Sequence, residues 1–540
     1  MKDGYALSYP ELSCYEFLVE SCAGYGNSCA IKYYDRSISY NKLKDLIDSA
    51  ARSLIALGVK KGEHIAVILP NLPQSVILFY AANRVGAVAD MIHPLSAGHE
   101  LEFYIKHSGI RQVFAVDLMA DKLLPVTDNI ENLISVSPAE YMGILGKAFY
   151  PEKVRRDERM MSFASFMKLG KDIDLDLVPM ADPDDVCALL YTGGTTGAPK
   201  GVMLTSFNFN SCAIEALDSC GCIEAGDRIL TVLPVFHGFG LGVCIHTALT
   251  AGAVTDLIPA FNVKNFADLV KKRRPDIIAG VPAMYGCLVE GWNRNESISF
   301  IKCAISGGDS LPPKIQKDVN RLFSECGRGN TIRQGYGLAE CLSGICLSPE
   351  GNTLENCLGR PYKDNVIRIL DYETGRELPC NETGEIAISG PVNMKGYYND
   401  PKATSDAFIT AEDGRVFLRT GDMGYMDEEG FVFFKGRFKN IIVSNGYDIY
   451  PSVIEDVILR LSSVRECAVV GVPDEKRGQT ARAYIVADKD ADKDLLFKEI
   501  REALDADVAK YAIPKDIRFM DSLPRTKVGK VDVRKLAEED

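Results

Sequence analysis

The chain has 540 residues, of which 46% are hydrophobic and 25% are charged. These fractions are typical of a soluble globular protein and exclude a collagen, a coiled coil or a disordered chain. Because a domain usually has roughly 100–200 residues, a chain of this length predicts two to four structural units. Acidic residues (74) outnumber basic ones (61), and a net charge of −13 without a basic run argues against nucleic acid as a partner.

The first predicted elements alternate between helices and strands. Apolar residues at helical spacing predict a helix over residues 41–57, which Gly58 ends. A strand at 64–69 and a helix at 74–85 follow, and further strands are predicted at 113–116, 186–192, 277–281 and 304–306. The alternation predicts an α/β fold of layered subdomains with a largely parallel sheet.

The pattern changes in the last third of the chain. From about residue 366, short β segments with frequent glycine (VIRIL, GEIAISG, GFVFFKG) predict a more antiparallel, barrel-like lobe. After residue 436 a small α+β unit begins, and residues 437–540 carry 19 basic and 20 acidic side chains, so nearly all the net charge lies in the larger part. We predict one domain over residues 1–436 and a second over residues 437–540.

Cysteine spacing and hydropathy bear on the compartment. The sixteen cysteines show no C-x-x-C spacing, and the closest pair is Cys220 and Cys222. This favours buried free thiols in a reducing environment over disulfides or a zinc ribbon. The N-terminus has no signal-peptide pattern, and the most apolar stretch, residues 238–254, is too short and too polar to span a bilayer. We therefore expect a cytoplasmic protein without a transmembrane segment.

The most informative segment is YTGGTTGAPKGV, residues 191–202, which directly follows an apolar strand. Glycines let the backbone turn tightly so that its N–H groups face an anion, and the threonines and the lysine add donors. The spacing fits neither the G-x-x-x-x-G-K-[ST] P-loop nor the Rossmann G-x-G-x-x-G. The segment predicts a phosphate-binding loop made of Thr192, Gly193, Gly194, Thr195, Thr196, Gly197 and Lys200.

Further motifs follow this loop in a fixed order: LPVFHGFG (233–240), SGGDSLP (306–312), YGLAE (336–340), RTGDMG (419–424), GRFKNIIVSNGYDIYP (436–451) and LPRTKVGK (523–530). With these motifs the chain resembles, over nearly its whole length, the superfamily of adenylate-forming enzymes, which comprises acyl- and aryl-CoA synthetases, adenylation domains and luciferases. The similarity is greatest to acyl-CoA synthetases. It implies a large N-terminal domain and a small mobile C-terminal domain, with the active site at their junction.

The resemblance implies a reaction in two halves. A carboxylate attacks the α-phosphate of ATP to give acyl-AMP and pyrophosphate, and the thiol of coenzyme A then displaces AMP. Because the first half brings anions together, neutralisation of charge should dominate it. The implied small molecules are therefore ATP, Mg²⁺, coenzyme A and a carboxylic acid.

The same resemblance assigns a role to each motif residue. The glycine- and threonine-rich loop would hold pyrophosphate, Glu340 would ligate Mg²⁺, and Lys530 would bridge the carboxylate and the α-phosphate. Tyr336 would stack on adenine, and the residues expected around that ring are Gly308, Asp309, Ser310, Gly335, Gly337 and Ala339. Asp422 would accept hydrogen bonds from the ribose hydroxyls, and Arg437 would contact the ribose or a phosphate. His237 would gate the tunnel for the acid and the thiol. Lys439 would lie at the hinge between the domains, and Gly446 would line the thiol channel.

One departure from the family pattern concerns the metal. Ala339 stands where the family has Thr or Ser, so a hydroxyl near the phosphates or the metal is missing. Glu340 and Lys530 are both retained, and we therefore expect activity, with the metal contacts around Ala339 left open.

The pocket motifs and the segment after Lys530 indicate which acid is activated and which thiol accepts the acyl group. FHGFG offers no carboxylate to hold an amino group, and no carrier domain follows Lys530, so free CoA is favoured. The expected walls at 237–242, 281–284, 306–309 and 335–338 are apolar and small, which favours a medium- or long-chain fatty acid. The alternatives are an aryl acid, a separate carrier protein as acceptor, a regulatory nucleotide-binding protein and a luciferase-like oxygenase. A monomer or a homodimer is expected.

Overall fold

The computed structural model of the chain describes residues 5–123, 130–143, 150, 160–192, 199–444, 447–474, 477–526 and 530–539. Its strands form a fourteen-stranded first sheet, an eight-stranded second sheet and a five-stranded third sheet. The fold is mixed α/β, as predicted, and helices pack on the sheets.

The first part of the chain alternates helices and strands as expected. Its elements are α1 (Cys14–Tyr25), β1 (Cys29–Tyr33), β2 (Arg36–Ser39), α2 (Tyr40–Ala56), β3 (His64–Ile68), α3 (Pro73–Arg84), β4 (Val88–Met91), α4 (Gly98–Ser108), β5 (Gln112–Val116), α5 (Ala120–Leu123), β6 (Asn132–Val136), β7 (Met160–Ser162), α6 (Phe163–Phe166) and β8 (Val186–Thr192). All residues of α3 are buried, because it packs on β3, β4 and β8 and against α1 and α2.

The middle of the chain continues the alternation and contains one unusual helix. Its elements are β9 (Lys200–Thr205), α7 (Ser206–Cys220), β10 (Arg228–Thr231), a π-helical segment (Phe239–Thr247), α8 (Ala248–Thr250), β11 (Val254–Leu257), α9 (Phe266–Arg273), β12 (Ile277–Gly280), α10 (Pro282–Gly291), β13 (Cys303–Ser306), α11 (Pro313–Cys326), β14 (Ile332–Tyr336) and β15 (Cys346–Leu347). The apolar stretch 238–254 is thus a short π/α segment and a strand. Among the described residues, no helix combines the length and apolar character that crossing a membrane requires.

Each of the two larger sheets has a parallel centre. In the second sheet β8, β4, β3, β5, β6 and β7 run parallel in that order, and in the first sheet β14, β13, β12, β10, β11 and β1 do the same. The sequence predicts the parallel strands, but their division between two sheets becomes visible only in the structure. The carboxyl ends of β8, β12, β13 and β14 carry the segments from which the candidate site is built.

The glycine-rich lobe is antiparallel, as expected, and it extends the first sheet. It contains β16 (Cys357–Pro361), β17 (Val366–Leu370), β18 (Gly384–Ser389), β19 (Gly396–Tyr397), α12 (Pro401–Ala407), β20 (Phe408–Thr410), β21 (Val416–Met426) and β22 (Val432–Arg437). β19 pairs with β9 in the second sheet, and the other strands join the first. As described, these strands form an open row and not a closed barrel.

The chain then leaves the first sheet through one turn, Phe438–Asn440, and builds the third sheet. The elements here are β23 (Ile442–Ser444), β24 (Tyr447–Ile449), α13 (Pro451–Leu459), β25 (Val464–Asp474), β26 (Gly478–Ala487), α14 (Lys493–Asp507), β27 (Asp516–Phe519) and α15 (Val533–Glu538). A core of its own lies between this sheet and α13 and α14. This arrangement accords with our predicted boundary near residue 436, which remains a prediction.

A buried carboxyl group ties the N-terminal segment to the larger part of the molecule. Glu215 on α7 is fully buried, with Oε1 3.0 Å from the Tyr9 hydroxyl, while Asn365 Nδ2 donates to Oε2 at 2.8 Å. Burial raises the pKa of Glu215 from 4.5 to about 8. The folded chain therefore holds a proton on this carboxyl group at pH values at which the unfolded chain has lost it.

We expect replacement of Glu215 by glutamine to remove a pH dependence of stability. The folded pKa is the higher one, so this group's contribution is complete below pH 4.5 and is lost between pH 4.5 and about 8. Over that window the free energy of unfolding of the wild type should fall, relative to Glu215→Gln, by up to about 1.4 kcal/mol per pH unit. Urea denaturation at several pH values measures this, with exposed Glu412→Gln as control. Parallel curves for wild type and Glu215→Gln would contradict the prediction.

Candidate active site

One cavity of about 2460 Å³ collects the candidate residues that the structure describes. It lies where the carboxyl ends of parallel strands from both larger sheets meet the third sheet, the place where open α/β sheets bind ligands. The candidates that line it are Thr192, Lys200, His237, Gly308, Asp309, Ser310, Gly335, Tyr336, Gly337, Ala339, Glu340, Asp422, Arg437, Lys439 and Lys530. Gly193, Gly194, Thr195, Thr196, Gly197 and Gly446 lie outside the described residues.

Asp422 is a buried acid of the cavity with partners on two other strands. It faces Arg437 across β21 and β22, and Arg437 Nε lies 2.8 Å from its Oδ1, while the Tyr336 hydroxyl donates to Oδ2 at 2.8 Å. The Arg437 contact is not aligned as a hydrogen bond, and Oδ1 accepts none from the described residues. Burial raises the pKa of Asp422, and Arg437 opposes that rise. A buried carboxylate oxygen with acceptor capacity is suited to ligand hydroxyl groups.

The turn after β13 forms another wall of the cavity. Gly308 has a φ of +79°, a left-handed conformation that a side chain would strain. The next two residues are held by a local bond, because the Ser310 amide donates to Asp309 Oδ1 at 3.0 Å. Since Tyr336 is tied through its hydroxyl to Asp422, its ring has a fixed orientation in the same cavity. A planar ring fits between a flat glycine backbone and an aromatic face.

Glu340, Tyr397 and Lys200 form a group at the start of β9. The Tyr397 hydroxyl donates to Glu340 Oε1 at 2.9 Å, and Lys200 Nζ lies 4.7 Å from the centre of the Tyr397 ring. Tyr397 belongs to the segment KGYYNDP, residues 395–401, for which the sequence predicts no site residue. The adjacent tyrosines of that segment were the available signal. Tyr397 thus positions the predicted metal ligand and the loop lysine together.

His237 lies at the start of the π-helical segment and faces the cavity. The Phe239 amide donates to its Nδ1 at 3.3 Å, and burial, with a smaller contribution from positive Lys530, lowers the pKa of His237 to about 4. The ring is therefore neutral at pH 7. Next to it, a Cβ at Gly238 would lie 2.8 Å from the Ser343 hydroxyl, so the close approach of these two segments requires glycine. Nine residues of π-helix beside a cavity are rare and recur at functional sites.

Lys530 reaches the cavity from the third sheet's side. Burial lowers its pKa, and the positive charge of Arg437 lowers it further, while Asp309, Asp422 and Glu340 counteract this. Lys439 lines the same cavity from the turn between the first and third sheets, and burial lowers its pKa as well. The cationic residues therefore surround a space that three carboxylates border. Such an arrangement suits an anionic ligand that carries bound cations.

The third sheet is held in this position by polar contacts with the rest of the molecule. Asn356 Nδ2 donates to Asp456 Oδ2 at 2.9 Å, and Lys314 Nζ donates to the Ser462 carbonyl at 2.5 Å. Arg465 lies 3.7 Å from Glu290. Contacts of this kind at a solvent-accessible boundary contribute little individually.

The chain was compared with known families and proteins. The family described as "AMP-binding enzyme" matches residues 18–398, and "AMP-binding enzyme C-terminal domain" matches residues 453–530. A long-chain-fatty-acid–CoA ligase of Bacillus subtilis (strain 168) is 32% identical over 99% of this chain and 96% of its own length. 4-Coumarate–CoA ligase 1 of Oryza sativa subsp. japonica is 30% identical, covering 91% and 86%. The crystal structure of ATP-bound MatB from Rhodopseudomonas palustris superposes with a TM-score of 0.84 at 26% identity, covering 97% and 98%.

Proposed function

The chain belongs to the AMP-binding enzyme family and is an acid–CoA ligase, and from this premise we propose that its acid is a medium- or long-chain fatty acid. The enzyme activates this acid with ATP as acyl-AMP and transfers the acyl group to coenzyme A, with release of AMP and pyrophosphate. The choice of acid rests on the apolar part of the cavity lining.

Part of the cavity lining is apolar and belongs to, or packs against, the core around β10, β12 and β13 of the first sheet. This apolar lining includes Phe239, Val243, Phe261, Val281, Ile305 and Leu347. These residues offer no charged partner for a polar acid, and burial of a methylene group contributes about 0.8 kcal/mol. An alkyl chain fits such a lining, and the relative from Bacillus subtilis, named for long-chain fatty acids, adds support.

The residues of the cavity divide the work of the first half-reaction. Asp422 binds the ribose hydroxyls, and Tyr336 and the turn at Gly308 enclose the adenine. Lys200 and Lys530 approach the phosphates from two sides, where Lys530 brings the fatty carboxylate and the α-phosphate together and offsets their repulsion. Neutral His237 closes the start of the acyl passage without adding charge.

Mg²⁺ fits the donor set at the phosphate side of the cavity. Glu340 offers a carboxylate that Tyr397 orients, and one carboxylate together with phosphate oxygens and water is the usual environment of this ion. When bound, Mg²⁺ would neutralise the triphosphate charge. Ala339 brings no hydroxyl, so among the described residues Glu340 is the protein ligand that we assign.

The second half-reaction needs coenzyme A to reach the same carbonyl carbon. Lys439 stands in the turn Phe438–Asn440, which joins the first sheet to the third. A rotation at this turn withdraws Lys530 and opens the cavity to the thiol, so that one site serves both steps. Gly446, the assigned channel residue, lies outside the described residues.

Replacement of Lys439 by proline is expected to slow thioester formation several-fold more than acyl-AMP formation. Proline fixes φ near −65° and restricts the rotation at the turn, while the first half-reaction proceeds in the arrangement seen here. The two half-reactions are measured separately, by pyrophosphate exchange and by thioester formation from supplied acyl-AMP. Lys439→Ala, which keeps the backbone free, is the matched control. Equal slowing of both halves by proline would contradict the rotation.

Two alternatives are separable from this proposal. An aryl acid is suggested by the 4-coumarate–CoA ligase relative, and the aromatic residues Phe239 and Phe261 in the lining give it a specific basis. A separate carrier protein as acceptor would replace coenzyme A in the second half. Both share the first half-reaction, so substrate competition distinguishes them.

Acid-dependent AMP release from Mg-ATP, with and without coenzyme A, tests the function. We expect release that needs both coenzyme A and a medium- or long-chain fatty acid, and little release with acetate, 4-coumarate or benzoate. Higher kcat/KM for an aryl acid would overturn the choice of acid, and preference for a phosphopantetheinylated carrier would overturn the acceptor. Lys530→Ala, assayed in parallel, identifies release by a contaminating enzyme.

A further inference from the structure

Three cysteine thiols lie close together in the fold, and none of them has a role in the proposed reaction. Cys220 ends α7, Cys222 follows two residues later, and Cys303 begins β13. The Sγ atoms of Cys220 and Cys222 lie 3.3 Å apart, those of Cys220 and Cys303 lie 3.8 Å apart, and all three lie within 4.8 Å of one another. No spacing motif detects this group, because its third member comes from a distant strand.

The sulfur spacing corresponds to that of a metal–thiolate centre. With zinc–sulfur bonds of about 2.3 Å, tetrahedral ligands lie about 3.8 Å apart. The Cys220–Cys303 distance equals that value, the Cys220–Cys222 distance is 0.5 Å shorter, and the third pair lies within 4.8 Å. Buried cysteines are common and usually act as small apolar residues, but here three sulfur atoms lie within 4.8 Å of one another.

A neighbouring buried arginine also favours a negatively charged metal–thiolate centre at the three cysteines. Arg333 is buried, and its guanidinium donates to the carbonyl oxygens of Cys220, Ser219 and Ser348 at 2.7–2.9 Å. Within the described part of the chain it forms no ion pair with a carboxylate, so a buried positive charge lacks an anionic partner. A divalent ion with three thiolates has a net charge of −1, which would balance this arginine.

We propose that Cys220, Cys222 and Cys303 bind one Zn²⁺ ion through their three sulfurs. Three soft thiolate ligands select zinc-type ions over Mg²⁺, which prefers oxygen. The ion links the end of α7 to the start of β13, whose other end leads into the turn at Gly308. Three protein ligands leave a fourth position, and Cys220 lines the cavity, so water can complete the coordination.

Metal titration of the reduced full-length enzyme tests this proposal. Cd²⁺ alone, added as a spectroscopic probe, should produce a sulfur-to-metal charge-transfer band that saturates at one ion per chain, with release of protons from the thiols. Zn²⁺ in excess should compete for the same site and lower the Cd²⁺ band, and Zn²⁺ alone should raise the melting temperature by mass action. Cys222→Ser and Cys303→Ser should each weaken binding by more than the roughly 10- to 100-fold typical of an outer-shell loss.

Cys326→Ser, a change at a cysteine outside the group, is the matched control and should bind as the wild type does. Should the cysteine variants fail to fold, X-ray absorption of the zinc-loaded wild type remains decisive, with three sulfur neighbours expected. Absence of a saturable site in the wild type, or equal binding by the folded Cys222→Ser and Cys303→Ser variants, would overturn the proposal.

Discussion

Replacement of Lys530 by alanine is expected to slow acyl-AMP formation by about 100- to 1,000-fold, the usual cost of losing one preorganised charge at a reacting centre. Lys530 reaches the cavity from beyond the third sheet, among Asp309, Asp422 and Glu340. No comparable effect is expected when acyl-AMP is supplied, because the displacement of AMP by a thiol does not need this charge. Pyrophosphate exchange measures the first step, and thioester formation from synthetic acyl-AMP measures the second.

A control variant sharpens this test. Lys535→Ala alters an exposed lysine of α15 and should leave both steps unchanged. Equal loss of both steps in Lys530→Ala would contradict the assignment.

The pH dependence of the first step supplies a second readout for the same residue. Burial and Arg437 lower the pKa of Lys530 below its usual 10.5, so its charge is lost at a lower pH than that of an exposed lysine. Acyl-AMP formation should therefore decline on the alkaline side. Lys530→Arg keeps its charge to higher pH and should lose that decline, even if its absolute rate is lower.

The second large effect is expected from Asp422→Asn, which should raise the KM for ATP by about 100-fold. Two hydrogen bonds from ribose hydroxyls to a charged acceptor contribute about 1.5 kcal/mol each, and asparagine lacks the charge and one acceptor oxygen. The side chain stays nearly isosteric, so Tyr336 retains a partner for its hydroxyl. Exposed Asp406→Asn is the control, and circular dichroism checks that the buried substitution leaves the fold intact.

Deoxynucleotides decide whether Asp422 acts through the ribose. The wild type should use 2′-deoxy-ATP and 3′-deoxy-ATP less efficiently than ATP, and Asp422→Asn should discriminate much less among the three. The coupling energy between side chain and hydroxyl is RT times the logarithm of the quotient of the two preference ratios, as in a double-mutant cycle. An unchanged preference for ATP in Asp422→Asn would show that Asp422 supports the site only indirectly.

The sequence predicts those parts of the molecule whose residues are close in the chain. The amphipathic pattern of Leu43, Ile47 and Leu54 places α2 to within one residue at each end, and Gly308 stands in the turn where the motif puts it. Contacts made across the fold were not predictable in this way. Tyr397 reaches Glu340 from a strand of the second sheet, because β19 pairs with β9, and no local pattern encodes that pairing.

Backbone conformations selected by packing were also missed. Leu342 and Ser343 have φ values of +51° and +63°, although neither is glycine, and the surrounding segments must impose this costly geometry. The π-helical segment Phe239–Thr247 reads in the sequence as a plain apolar run. The helix and turn propensities of the local sequence predict neither feature, because tertiary contacts outweigh them there.

The pairing of Asp422 with Arg437 on neighbouring strands has a consequence for how this enzyme can vary. The proposed ribose anchor belongs to the first sheet, whereas Lys530 follows the third sheet, which has a core of its own. With these proposed roles, nucleotide affinity depends on the first sheet and catalytic rate on the third. Changes in the core around Ile485 or Ile500 should alter turnover while the occupancy of the ATP site stays constant, so the two properties can be tuned independently by mutation.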